Sequence, residues 1–293
     1  MNSVLITIAV LAVLGCSLAV ILYFVSQKFK VYEDPKIAEV EAELPGANCG
    51  GCGFPGCHGL AEALAKADDL SNIGCPVGGA PVMAKIAAIL GKEAGSAEPK
   101  VAVARCSAAC NTRIKLAQYD GAQSCAIAAS HFSAETGCAF SCLGHGDCVK
   151  VCKFDAISID PDKGVVVDDE KCVACGACAK ACPKNVIELR PKGRLVQGKN
   201  RRVWVNCVSK DKGPVAMKAC KNACIACGKC AKVCKFEAIS VENNVAYIDP
   251  AKCKACGLCL NECPTHAIQA TFPAPPKPKP APAPAEAPAA KAE

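Results

Sequence analysis

The chain has 293 residues, a formal net charge of +7, 26 cysteines and only 4% aromatic residues. So few aromatics argue against one large apolar core, and so many cysteines call for disulfides or metal to hold the folded parts together. The cysteines stand in tight C-x-x-C runs, where disulfides would close very short loops, so thiolates converging on metal in a reducing compartment are the expectation.

Taken in chain order, Val4 to Val25 form an uncharged apolar stretch long enough to cross about 30 Å of hydrocarbon as a helix. A secretory signal would carry a basic start and a shorter core. No Lys or Arg precedes the stretch, whereas Lys28 and Lys30 follow it, so the positive-inside rule predicts that the rest is cytoplasmic. Cys16 lies in VLGC, which matches a lipoprotein box poorly, and is read as a small residue of the membrane helix. The expected division is a transmembrane helix over 1–27 and a juxtamembrane connector over 28–45.

Residues 46–92 open with NCGGCGFPGCHG, which places Cys49, Cys52 and Cys57 on one loop. Cys75 follows the helically patterned GLAEALAKADDL, and PVMAKIAAIL predicts a second helix. Four thiols are thus available, and the glycines admit positive φ and close approach of backbone N–H groups. Alone, the motif also suits zinc or a redox dithiol. Beside the runs described next, it is read as a [4Fe–4S] domain. The segment 99–137 carries Cys106, Cys110 and Cys125.

Residues 138–190 and 220–271 repeat each other on either side of a basic connector, 191–219. Cys172, Cys175, Cys178 and Cys182 run C-x-x-C-x-x-C-x-x-x-C-P, as do Cys253, Cys256, Cys259 and Cys263. Cys224, Cys227, Cys230 and Cys234 share the spacing, with Lys235 in the proline's place. This run binds [4Fe–4S] clusters in bacterial ferredoxins. Three thiolates on one loop cap three corners of a cube. The fourth, expected to begin a helix leading away, serves the neighbouring cube.

The expected sets are Cys49, Cys52, Cys57 and Cys75; Cys138, Cys142, Cys148 and Cys182; Cys152 with Cys172, Cys175 and Cys178; Cys263 with Cys224, Cys227 and Cys230; and Cys234 with Cys253, Cys256 and Cys259. The Cys138 run departs from the pattern, and Gly144 and Gly146 are expected to let an LGHGD insert bulge. Cys106, Cys110 and Cys125, with Cys207 or Cys220, are candidates for a sixth cluster. Cys138 could close it instead, and unligated buried thiols are the plain alternative. Zinc also takes four thiolates, but usually from paired knuckles. Triplets DAI, NVI, EAI and HAI after the four runs, at equal offsets, favour the ferredoxin reading.

His58, His131, His145 and His266 show no ligand spacing, and neither a c-type haem motif nor a nucleotide-binding loop is present. No catalytic residue is expected. From Lys184 to Lys235 fourteen Lys or Arg face two acids, Glu188 and Asp211. These cations offset anionic clusters or form a docking face, with Arg201, Arg202, Lys210 and Lys212 in it, for an acidic electron carrier. Nucleic acid is not an expected partner. The fold expected is α+β: one N-terminal transmembrane helix, a small helical [4Fe–4S] domain, two bacterial ferredoxin-like modules and a disordered Pro/Ala/Lys tail over 272–293.

The combination of an N-terminal apolar helix, CGGCGFPGC, RCSAAC, CLGHGDCVKVCKFDAI and a second ferredoxin module resembles the B subunit of Rnf electron-transport complexes over about residues 1–270. Lys153 and Lys235 depart from the proline common after such runs. The resemblance implies a membrane-anchored translocase subunit with five [4Fe–4S] clusters and a candidate sixth, and no substrate site of its own. It would accept electrons from soluble ferredoxin on the cytoplasmic side of the bacterial inner membrane. It would relay them to membrane and flavin-bearing subunits of an ion-pumping ferredoxin:NAD oxidoreductase. The place of the 46–92 domain, soon after the apolar helix, makes it the expected membrane-proximal exit of that relay. The alternatives are a polyferredoxin arm of a hydrogenase or heterodisulfide reductase system, and a zinc-stabilised membrane interaction protein.

Overall fold

The computed structural model describes residues 2–28, 34–70, 73–93, 98–106, 114–130 and 135–276. Cys110, His131 and the tail from residue 277, on which the disorder expectation falls, lie outside them.

Helix α1 spans Asn2–Lys28. Its stretch Ile8–Lys28 has a mean hydropathy of 2.7 and none of it is buried against the protein. An apolar helix exposed all round suits a lipid environment, where its backbone bonds are internally satisfied.

Helices α2 (Pro35–Glu43), α3 (Cys57–Lys66) and α4 (Gly79–Leu90) form a small helical domain, so the boundary expected at 46 is corrected: α2, from the segment read as a connector, belongs to the domain's core. Asp34 caps α2, accepting the Lys36 N–H at 3.0 Å, and Pro35 occupies the first turn, where no N–H is needed. Ile37 and Val40 of α2 bury against Leu60 and Leu64 of α3 and Met83 and Ile86 of α4. Each such side chain contributes about 1.5–3 kcal/mol on burial.

The rest of the described chain forms two modules built alike. The first contains β1 (Lys100–Ala104), α5 (Cys125–Ser130), α6 (Asp147–Lys150), β2 (Ile157–Asp160), β3 (Gly164–Val167), α7 (Ala177–Ala181) and β4 (Ile187–Pro191). A hairpin, β5 (Arg194–Val196) with β6 (Lys199–Arg201), leads to the second. That module contains β7 (Val203–Val205), α8 (Gly213–Ala219), α9 (Lys229–Val233), β8 (Ile239–Glu242), β9 (Val245–Ile248), α10 (Leu258–Glu262) and β10 (Ile268–Ala270).

In each module a central hairpin, β2–β3 or β8–β9, is accompanied by an outer antiparallel pair, β1–β4 or β7–β10. Strand β1 comes from the 99–137 segment and β7 from the basic connector, so both are sheet members of the modules they precede. The equivalence reaches single bonds. Arg105 N–H donates to the Val186 carbonyl, and Asn206 N–H to the Ala267 carbonyl, both at 2.7 Å.

Cations join the modules. Arg202 forms a bidentate pair with Asp169, one arm at 2.7 Å. Arg105 and Arg190 lie over the Tyr247 ring at 4.9 and 5.1 Å, and Arg105 also pairs with Glu188 at 3.2 Å.

Candidate metal centres

The loop 48–57 is tied at both ends by one side chain. Asn48, at φ 45°, accepts the Cys57 N–H on its Oδ1 at 2.8 Å, where α3 begins. Cys52 and Cys57 pack beside the buried Cys75, whose Sγ accepts the Gly78 N–H at 3.3 Å. Burial pushes the Cys75 thiol up, and its neighbours Cys52 and Cys57 add to this. Cys49, on the same loop, is half-buried.

The ferredoxin-type runs share one backbone device. Ala174, Ala226 and Ala255 hold positive φ of 55°, 54° and 51° just before the second cysteine, and Gly176, Gly228 and Gly257 follow it at 78°, 71° and 79°. This pair of left-handed residues wraps the loop around the space that its thiols face. The third cysteine of each run lies within a short helix, and the fourth is the residue that ends it: Cys182 after α7, Cys234 after α9, Cys263 after α10. The expectation that the fourth cysteine begins a helix is corrected, because one short turn after the third carries it towards the neighbouring site. Three residues on, Asp155, Asn185, Glu237 and His266 all take φ near 50°, which explains the triplets DAI, NVI, EAI and HAI.

Four cavities of about 310–420 Å³, mouths included, are lined by thiols. One joins Cys152, Cys172, Cys175 and Cys178. Another joins Cys224, Cys227, Cys230 and Cys263. Cys253 and Cys259 are each raised first by burial; Cys234 and Cys256 stand near enough to raise Cys253 further, and Cys253 and Cys256 near enough to raise Cys259, which brings the four together as a further set. These three groupings are those expected from the spacing.

The remaining two cavities exchange a pair of cysteines. Cys142, Cys148 and Cys182 share their cavity with Cys125, not Cys138. Cys138 lines the other with Cys106, Cys207 and Cys220. The reason is at position 145. Cys142 and Cys148 are as far apart as Cys224 and Cys230, so LGHGD contains no insert, and His145 stands where Cys227 stands in the second module. Gly144 and Gly146, at φ 83° and 80°, keep the wrapped loop geometry.

The missing thiol comes from another segment, and the loop itself holds that segment in place. Asp147 accepts the Ala126 N–H at 3.0 Å and the Ser124 hydroxyl at 2.9 Å. His145 packs on Tyr119 and bonds Gln123 at 3.0 Å. Comparing the two six-residue spacings would have exposed the substitution in the sequence.

The donor chemistry suits a cationic iron–sulfur centre. The thiols are buried beside one another among apolar side chains such as Ile187 and Ile268. Burial, with neighbouring thiols, raises Cys148 and Cys259 to about 12 and Cys178 and Cys230 to about 11. Four thiolates there require positive charge between them. Backbone N–H groups of Ala102, Ala246 and Ala267 donate to Cys172, Cys224 and Cys263 at 3.3–3.4 Å, the kind of bond that tunes sulfur ligands. Among the described residues, no three His, Cys, Asp or Glu side chains meet closely enough to hold a single metal ion.

The sets adjoin one another. A Cβ on Gly51 would lie 2.7 Å from the Cys175 backbone, so the first thiol loop lies directly against the Cys175 loop. Lys153 Nζ reaches the Ala47 carbonyl at 3.3 Å beside it. Cys178 acts on Cys148, and Cys230 on Cys259, across the paired sites of each module.

Residues 44–76 match a family model described as a putative Fe-S cluster, and residues 136–186 and 223–267 match the 4Fe-4S dicluster domain. The chain is 44% identical over 268 residues to the B subunit of the Na(+)-translocating ferredoxin:NAD(+) oxidoreductase complex of Acetobacterium woodii, covering 92% of this chain and 78% of the relative. It is 41% identical to the B subunit of the ion-translocating oxidoreductase complex of Methanosarcina acetivorans, covering 92% and 99%. It is 38% identical to the B subunit of the proton-translocating ferredoxin:NAD(+) oxidoreductase complex of Clostridium ljungdahlii, covering 92% and 93%.

Proposed function

The chain belongs to the family of B subunits of ion-translocating (Rnf) oxidoreductase complexes, and from that premise we propose that it is the membrane-anchored electron conduit of a ferredoxin:NAD oxidoreductase. The observation that carries this reading is the series of thiol sets, adjoining within each module and again where the Cys175 loop meets the loop of Cys49, on the chain that bears α1. Bound [4Fe–4S] clusters supply one-electron carriers.

The residues proposed to hold five of them are Cys49, Cys52, Cys57 and Cys75; Cys152, Cys172, Cys175 and Cys178; Cys125, Cys142, Cys148 and Cys182; Cys224, Cys227, Cys230 and Cys263; and Cys234, Cys253, Cys256 and Cys259. Together with the resemblance, the pattern of Lys28 and Lys30 after α1 supports a single pass with the clusters on the cytoplasmic side.

Reduced ferredoxin is the proposed donor. Among the described cysteines outside α1, only Cys227 and Cys256 are exposed, and both lie in the second module. Exposed Lys235, Lys252 and Lys254 neighbour Cys234, Cys253 and Cys256, a charge arrangement that suits an acidic carrier. Of the four cations expected in a docking face, Arg202 is taken by Asp169 and Arg201 lies over the Phe272 ring at 4.9 Å, while Lys210 and Lys212 are not buried.

Metal analysis after anaerobic purification tests the reading. Iron with equal acid-labile sulfide, and co-purification with flavin-bearing membrane subunits, is expected. Zinc without sulfide would sink it, and iron–sulfur protein purifying with hydrogenase subunits would favour the polyferredoxin alternative.

A further inference from the structure

Outside α1 and the five sets above, four cysteines remain among the described residues: Cys106, Cys138, Cys207 and Cys220. They come from four separate segments that no C-x-x-C run announces, yet all four line one cavity, of about 420 Å³ with its mouth. Cys207 is buried beside Cys138 and Cys224.

The four thiols are two equivalent pairs, one from each module. Cys106 lies two residues beyond β1, and Cys207 two residues beyond β7, the outer strands that pair with β4 and β10. Cys138 precedes Cys142 by four residues, as Cys220 precedes Cys224. The bonds to them match as well. The Cys142 N–H donates to Cys106 Sγ at 3.4 Å, and the Cys224 N–H donates to the Cys207 thiol. An interface to which both sides contribute the same residues places them around one shared centre, as in an isologous contact.

We propose that Cys106, Cys138, Cys207 and Cys220 hold a sixth [4Fe–4S] cluster that joins the two ferredoxin-like modules. Each thiol gives up its proton on binding iron. The site has a specific place in the conduit. Cys142 belongs to the nearest set of the first module and Cys224 to the nearest set of the second, so their two N–H bonds make the sixth site the link between modules. With it, every set touches the next from Cys256 to Cys49. The proposal rests on the iron–sulfur reading of the other five sites.

The test is iron and acid-labile sulfide per full-length chain, purified anaerobically, for the wild type and for Cys207→Ser, Cys138→Ser and Cys110→Ser. Six clusters predict about 24 iron and 24 sulfide in the wild type, with about four of each lost in Cys207→Ser and in Cys138→Ser. Cys110→Ser keeps the full complement. About 20 iron in the wild type, with or without one zinc, overturns the sixth site and leaves the other five standing. Zinc throughout, without sulfide, removes the iron–sulfur reading altogether. The wild-type count is independent of whether any variant folds. In the variants, a Cys207→Ser chain that keeps all its iron, or a Cys110→Ser chain that loses four, also contradicts the proposal.

Discussion

Gly51 sits where the helical domain meets the first ferredoxin-like module, and its missing Cβ is what allows the contact with the Cys175 backbone. Gly51→Ala should force the loops apart at an overpacking cost of about 1–3 kcal/mol. The expected outcome is a normal iron content but roughly tenfold slower passage of electrons into the helical domain, read by stopped-flow absorbance. An unchanged rate would show that the contact is not on the path. His145 is the other decisive residue. Its loop keeps the turn of the cysteine runs but not the thiol, and Asp147 beside it fixes the segment that delivers Cys125. Three of the thiol groupings that the structure brings together match the spacing, because a run places three cysteines on one loop and its fourth beside the neighbouring one. The exchange of Cys125 for Cys138 was not legible there, because the replacing thiol lies seventeen residues upstream of Cys142 and only tertiary bonds bring it in.

In the proposed conduit the elements divide the labour between anchoring and carrying. The stretch Ile8–Lys28 of helix α1 buries nothing within the protein, so removing residues 1–33 should shift the chain from membrane to soluble fractions and leave its iron content unchanged. Loss of iron on truncation would show that α1 supports the fold. Helices α3 and α4 follow the apolar periodicity that predicted them, whereas α2, in a mostly polar segment, shows only Ile37 and Val40 to the core and was read as a connector. Strands β1 and β7 were harder to read, because a three- to five-residue strand gains its identity from the partner strand, here some 65–90 residues away. Around Cys256 the exposed lysines lie on the loops that carry the thiols. Lys252→Glu with Lys254→Glu should slow reduction by ferredoxin about tenfold at low salt, with the difference fading at high salt. A rate equal to the wild type at low salt would place docking elsewhere. Arg202→Glu should act differently, by breaking the pair with Asp169 that joins the modules, and should lower thermal stability.

At the scale of the molecule, a duplicated module explains how a chain so poor in aromatics folds around many centres. Each module completes its small core with thiol sites, and the helical domain is joined to the first module at one of them. The order of contacts gives the molecule two ends, one with exposed thiols at Cys227 and Cys256 and one beside the domain that follows α1. Cys52, in the thiol set at the α1 end, is where that polarity is open to measurement. In the assembled complex, Cys52→Ala should leave reduction of the ferredoxin-like modules by reduced ferredoxin at its normal rate, while electron delivery to NAD falls to background. NAD reduction at the wild-type rate in that variant would contradict a conduit running from Cys256 to Cys49.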